Sequence, residues 1–335
     1  MLRRVFPRGK KGIAKLTAYA GVIAILALLP LFSLPIYYVH VLIGIFIYAI
    51  AAVSLRLVNL SGQGSLGHAG FMLIGAYTSA ILSKNLHWTP WITMVIGMVL
   101  ALIIGFLIAI PFSRLRGIYF TMISLFLGMA ILAFAALSQR ITGGESGLAG
   151  IPALFGTSKI PYYYFFLAAM VVCLGIMYRM EFSRIGLTWK AIAQSHSVSS
   201  SIGINESGQR IVCFAAGAFF AGIAGAFYAH YYQILSINIF SFQTSIYLFI
   251  YMMVGGVNSF NGPILGTFVL IMIPTIFRNS REYVPFIYAA ILLIVLFLMP
   301  QGIVGLPAQI KNIYSRMKEE RSGVAESARK AGAAD

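Results

Sequence analysis

Two short segments gather most of the polar and conformationally free residues of this chain. The first is Gly62-Gln63-Gly64-Ser65-Leu66-Gly67-His68-Ala69-Gly70-Phe71, followed by Gly75-Ala76-Tyr77. The second is Gly255-Gly256-Val257-Asn258-Ser259-Phe260-Asn261-Gly262-Pro263, followed by Gly266. Amide, hydroxyl and imidazole groups set among glycines can hydrogen-bond a small polar solute, and the glycines let backbone carbonyls and N–H groups join them. That is chemistry for passing a solute along. Other chemistries lack their residues. The five histidines, His40, His68, His87, His196 and His230, have no metal-ligand spacing. Cys173 and Cys213 lie inside apolar runs, where a thiol behaves as a small hydrophobe, so neither a disulfide framework nor a metal site is expected. No GxxxxGK[ST] loop occurs, so the chain binds no ATP by that route and is expected to hold no cofactor of its own.

The elements that must position these segments are set by lipid. The chain has 335 residues, 60% apolar and only 10% charged, against about 25% charged in soluble domains. A spanning helix needs about 20 mostly apolar residues. Ten segments approach that: 16–34, 36–55, 66–83, 91–112, 118–137, 161–178, 211–230, 244–257, 263–277 and 284–299. The eighth and ninth are short enough to be tilted, half-spanning or re-entrant, so the expected fold is an all-α polytopic membrane protein with nine to ten helices, some broken at glycine. Residues 1–15 form a basic cytoplasmic N-terminus, 16–306 the membrane domain, and 307–335 a cytoplasmic tail, partly disordered.

Charge sets the orientation, because cytoplasmic loops hold the excess of Lys and Arg. With the N-terminus inside and an even number of crossings, 19 of the 24 basic residues face the cytoplasm; the other five are Lys84, Arg140, Lys159, Arg278 and Arg281. The net charge of +16 is thus spread over membrane flanks, with no aromatic and basic platform for nucleic acid. All eight acids, Glu145, Glu181, Glu206, Glu282, Glu319, Glu320, Glu326 and Asp335, are expected in loops or the tail. Without an intramembrane carboxylate a proton has little to ride on, and energy for uphill transport must come from another subunit.

Four glycines in the nine residues 62–70 make a poor helix start. They fit either a broken helix whose freed backbone faces water or solute, or a tight cytoplasmic turn leading into a glycine-packed helix. His68 is open to two roles, solute contact or a helix-end histidine bonded to a carbonyl. Ala218, Gly222 and Ala226, with Ala221 and Gly225 beside them, form a small-residue ladder for close helix packing. The cytoplasmic stretch 179–210 places Ile185, Trp189, Ile192 and Ile202 at roughly helical spacing, as in a helix lying on the membrane surface or filling a groove on a partner.

Together these patches resemble the LivM-type permease subunits of bacterial branched-chain amino-acid ABC importers. The resemblance runs from about Ala52 to Leu306 and rests on the two glycine segments, Arg116-Gly117-x-Tyr119-Phe120, Thr142-Gly143-Gly144-x-x-Gly147-Leu148, Ser183-Arg184-x-Gly186, Ala191-Ile192, Gly203-Ile204, Ala221-Gly222-x-Ala224-Gly225 and Pro300-Gln301-Gly302. It implies a bacterial inner-membrane protein paired with a second, homologous permease, two cytosolic ATPases that use the ATP, and a periplasmic binding protein delivering leucine, isoleucine or valine. It also implies ATPase coupling through Arg184, Gly186, Ala191, Ile192, Gly203 and Ile204. Two departures stand out: Ala191-Ile192-Ala193-Gln194 and Ser199-Ser200 lack the charges usual there, and Gly64 replaces a larger apolar residue. A path along Gln63, Ser65, His68, Tyr119, Gly255, Gly256, Asn258 and Ser259 would offer a zwitterion polar groups without a fixed charge. Three rivals are a urea or short-amide ABC permease, a sodium-coupled carrier acting alone, and a membrane scaffold that moves nothing.

Overall fold

The computed structural model describes residues 10–32, 35–156, 158–201 and 203–276, with a few positions between 283 and 305. Most of the expected tenth segment, 284–299, lies outside the described residues, as do the tail beyond 305 and Ile202. The described chain is almost entirely helical. In order the helices are α1 (Lys10–Leu28), α2 (Ile36–Asn59), α3 (His68–Asn85), α4 (Pro90–Phe112), α5 (Gly117–Leu137), α6 (Gln139–Thr142), α7 (Lys159–Glu181), α8 (Arg184–Gln194), α9 (His196–Ser201), α10 (Glu206–Tyr232), α11 (Phe242–Gly255) and α12 (Gly262–Ile276). Two-residue strands β1 (Leu148–Ala149) and β2 (Ile234–Leu235) pair antiparallel, Leu148 opposite Leu235.

Among the described residues, six segments are long and apolar enough to cross a membrane: α2, α4, α5, α7, α10, and Ile237–Gly255, which contains α11. Tyr19–Leu28 and Gly262–Thr275 are shorter apolar helices. This is an all-α, multi-pass membrane protein. Burial sorts the helices into centre and periphery. In their most apolar stretches α2 and α10 are 89% and 78% buried, whereas α5 is 17% buried and turns Phe126, Phe134 and Leu137 outward. Exposed apolar side chains of this kind suit lipid as their solvent.

α10 packs against α2, α3 and α4, and α2 against α7, α11 and α12. Small residues set the separation on α10. A Cβ on Gly75 would fall on the backbone of Gly222, one on Gly97 would lie 2.6 Å from the Gly75 carbonyl oxygen, and one on Gly225 would fall on the Met72 carbonyl. Ala218 sits against Gly105, and Ala226 is fully buried. Backbones of α3, α4 and α10 therefore touch, which gives dispersion contact where lipid offers no hydrophobic drive.

The hydropathy reading stops α2 at Leu55 and places Arg56 in a cytoplasmic loop. The helix instead continues to Asn59, and Arg56 is 2% exposed. Glu181, also read as a loop residue, is the last residue of α7 and 1% exposed. The two side chains meet in a bidentate ion pair, and that pairing lets both charges leave water.

Candidate functional site

Between the first half of α2, the second half of α12, α11 and the last residue of α10 lies a cleft of about 300 Å³, at the low end of the range for small-molecule sites. Its polar lining comes from His40 and Tyr48 of α2, Tyr232 of α10, Thr244, Tyr247 and Tyr251 of α11, and Thr275 of α12; Ile271 and Pro274 of α12 are apolar walls. Gly44 makes the room, since a Cβ there would lie 3.1 Å from the Tyr232 hydroxyl. The hydroxyls are held in place locally. Thr244 donates to the Ile239 carbonyl at 2.6 Å, Gln243 donates to Tyr247 Oη at 2.8 Å, and Tyr232 stacks on Tyr228 with ring centroids 4.2 Å apart. His40 Nδ1 and Tyr231 Oη are 2.8 Å apart. The lining carries hydroxyl oxygens and an imidazole but no carboxylate, lysine or arginine. It can bond an ammonium or carboxylate transiently, with apolar surface for a side chain, and holds no fixed charge to trap either.

The first glycine segment breaks the chain between α2 and α3. Residues 60–67 are not helical, yet Gln63, Ser65 and His68 are 2%, 0% and 1% exposed, covered by protein rather than open to water. Gly67 lies against Ser124 and Gly128, halfway along α5, so α3 starts deep in the bundle. The N–H groups freed there find tertiary acceptors: Leu66 N donates to Ser124 Oγ and Ala69 N to Ser245 Oγ, both at 3.1 Å. Irregular backbone at depth is tolerated when protein satisfies it. His68 bonds a hydroxyl rather than a carbonyl, with Nε2 2.7 Å from Ser54 Oγ. Since Ser54 gives its one proton to the Ala51 carbonyl at 2.8 Å, the ring nitrogen is the donor. Gln63 accepts from Ser61 Oγ at 3.2 Å.

The second glycine segment joins α11 to α12. Cβ atoms on Gly255 and Gly262 would fall on the carbonyl oxygens of Gly262 and Gly256, and one on Gly302 would fall on Gly256. Gly256 has φ +116°, a conformation that side chains resist. Gly255, Gly256 and Gly262, with Gly302 from much further along the chain, thus form one backbone knot. Asn258 is exposed and Ser259 half-buried beside it. The residues read as a path are therefore spread over three places: Gln63, Ser65 and His68 in the first break, Gly255 to Ser259 at the knot, and Tyr119 on the outer face of α5, 70% exposed. None of them lines the cleft, which the sequence reading missed. Tyr247 and Tyr251, one helical turn apart, are the signal that could have found it.

α8 lies across the ends of α7 and α10. Ser183 caps it, accepting from Gly186 N at 3.4 Å, and Gly186 is needed because a Cβ would fall on the Met180 and Glu181 carbonyls. Trp189 and Ile192 are fully buried, while Ile185 and Leu187 are 49% and 60% exposed and Arg184 is exposed. Ala191 is half-buried. Gly203, at φ +80°, ends α9: its N–H donates to the Ser200 carbonyl at 3.0 Å and that of Ile204 to Ser199 at 3.2 Å. Among the described residues no three metal-ligating side chains gather.

A many-helix membrane body with glycine-broken segments, an uncharged cleft and an amphipathic helix across one end is the form of a transport subunit. The chain belongs to the family of permease components of branched-chain amino acid transport systems, whose model matches residues 37–299. It is 27% identical over 286 residues to the high-affinity branched-chain amino acid transport permease LivM of Escherichia coli K12, covering 77% of this chain and 67% of that one. It is 25% identical over 288 residues to LivH of Salmonella typhimurium, covering 78% and 92%, and 25% identical over 166 residues to BraD of Pseudomonas aeruginosa, covering 49% and 52%. No solved structure matches it significantly.

Proposed function

We propose that the chain is the membrane-spanning subunit of an ABC importer that moves branched-chain amino acids inward, and that the tyrosine-lined cleft is where the amino acid enters. The observation that carries the reading is a cleft with hydroxyl and imidazole groups, apolar walls and no fixed charge, in a chain of this permease family. Such a site binds weakly, and weak binding suits a carrier that must release what a delivery protein has already selected. LivM and LivH, related to each other through this chain, support pairing with a second, homologous permease. The partners complete the machine: two cytosolic ATPases docking on α8 and α9, where Ile185, Leu187 and Val198 stand exposed, and a periplasmic binding protein at the end of the cleft. We place α8 and both termini in the cytoplasm of a bacterial inner-membrane protein with nine to ten crossings, following the distribution of Lys and Arg. No ATP and no other cofactor is bound by this chain.

The test is uptake of labelled leucine and labelled urea into vesicles that contain the complex purified with this chain, its delivery protein and internal ATP. ATP-dependent leucine uptake is expected. Urea uptake would move the chain to short-amide transport, uptake driven by sodium without ATP would make it a carrier acting alone, and assembly without any uptake would leave a scaffold.

A further inference from the structure

The ion pair between Arg56 and Glu181 is part of a larger cluster that the path through the bundle does not use. Glu181 accepts from both terminal nitrogens of the Arg56 guanidinium, one at 3.0 Å, and from Lys190 Nζ at 2.8 Å. The third guanidinium nitrogen, Nε, donates to the carbonyl of Val257 at 2.9 Å. Lys190 belongs to α8, its ammonium lying 4.8 Å from the Phe182 ring centre, and Val257 follows the glycine pair at the knot. A continuous chain of charge-assisted bonds therefore runs from α8, through the end of α7 and the end of α2, to the break between α11 and α12. Each link is strong and directional, and Arg56 and Glu181 are 2% exposed, so little water competes. α8 also touches the first break directly, since a Cβ on Gly62 would lie 3.4 Å from Ala193 Cα.

We propose that Lys190, Glu181 and Arg56 form a joint that transmits displacement of α8 to the glycine knot at the start of α12. This rests on the reading of α8 as the helix on which an ATPase acts. A buried ion pair is a poor source of stability compared with apolar packing. Its value here lies in geometry. The planar guanidinium presents one edge to Glu181 and its Nε–H to Val257, so a shift of the carboxylate turns the guanidinium and pulls on the backbone. Val257 sits beside Gly256, the position where the backbone is freest to turn. Lys190, 34% exposed on its side chain, is the member that a moving α8 carries.

Two measurements on the full purified complex test this. In the first, hydrogen exchange at backbone amides of residues 257–262 is followed in Lys190→Met, Lys190→Arg and the double variant Arg56→Met/Glu181→Met, which keeps apolar volume while removing both charges. Lys190→Met and the double variant should raise exchange there about tenfold, and Lys190→Arg should restore it. Unchanged exchange in both overturns the joint, whatever the transported solute is. In the second, solute moved per ATP hydrolysed should fall about fivefold or more in Lys190→Met and recover in Lys190→Arg. A normal ratio in Lys190→Met would overturn the joint; a wild-type complex that moves no amino acid would instead overturn the functional reading and leave the exchange result to decide on the joint.

Discussion

At the scale of single residues, burial decides what each polar group can do. His68 is enclosed and donates to Ser54, so it holds the start of α3 against α2. Ser54→Ala should cost about 1–3 kcal/mol of stability, the range for a buried partner left unpaired, with the KM for uptake unchanged. Thermal unfolding in detergent and uptake kinetics check the two halves; a raised KM with normal stability would put His68 on the path. The cleft makes the opposite demand, for emptiness. Gly44→Leu should fill it and lower leucine uptake about tenfold or more while membrane insertion is retained, as a pocket filled by a side chain excludes its ligand. Arg56 and Glu181 show why the sequence hides some residues. A hydropathy count treats each charge singly and assigns it to water, but partners 125 positions apart can enter the protein together.

Among elements, the apolar periodicities and small-residue spacings are local and therefore legible. Four-residue steps such as Ala218, Gly222 and Ala226 define one face of a helix whatever surrounds it, and in α10 that face touches α3 and α4. The poor helix propensity of residues 62–70 is also local, and the chain is non-helical until His68. What satisfies the broken backbone is not local: Ser124 and Ser245 come from α5 and α11. The cleft is mostly hidden for the same reason: its tyrosines stand on three helices, and only Tyr247 and Tyr251 share a spacing. For α9, the left-handed Gly203 makes a direct test. Gly203→Asp adds about 1–2 kcal/mol of local strain where the helix must end, and should lower ATP-driven transport with membrane insertion unchanged. Insertion assayed by protease protection beside uptake checks it; normal uptake would remove this turn from the coupling stretch.

For the whole molecule, helix directions put the Arg56 cluster, α8 and the glycine knot at one end and the β1–β2 ribbon at the other. Both native cysteines are buried, so introduced thiols can be read against a quiet background. A cysteine at Leu187 should react with an impermeant maleimide only from the cytoplasm, and one at Ile234 only from outside; both positions are 60% exposed. The reverse pattern would invert the membrane orientation. The same view explains why α5 is so sparsely covered: its outward face needs only lipid or another subunit, and apolar side chains serve for either.

The knot also imposes an order of assembly. Gly302 closes against Gly255 and Gly256, yet 40 residues separate it from Gly262. At about 5–20 residues per second of synthesis, the break between α11 and α12 waits roughly 2–8 seconds on the ribosome before its last strand of backbone arrives. The bond from the Arg56 guanidinium to the Val257 carbonyl needs no residue beyond 257, so it can form before Gly302 arrives.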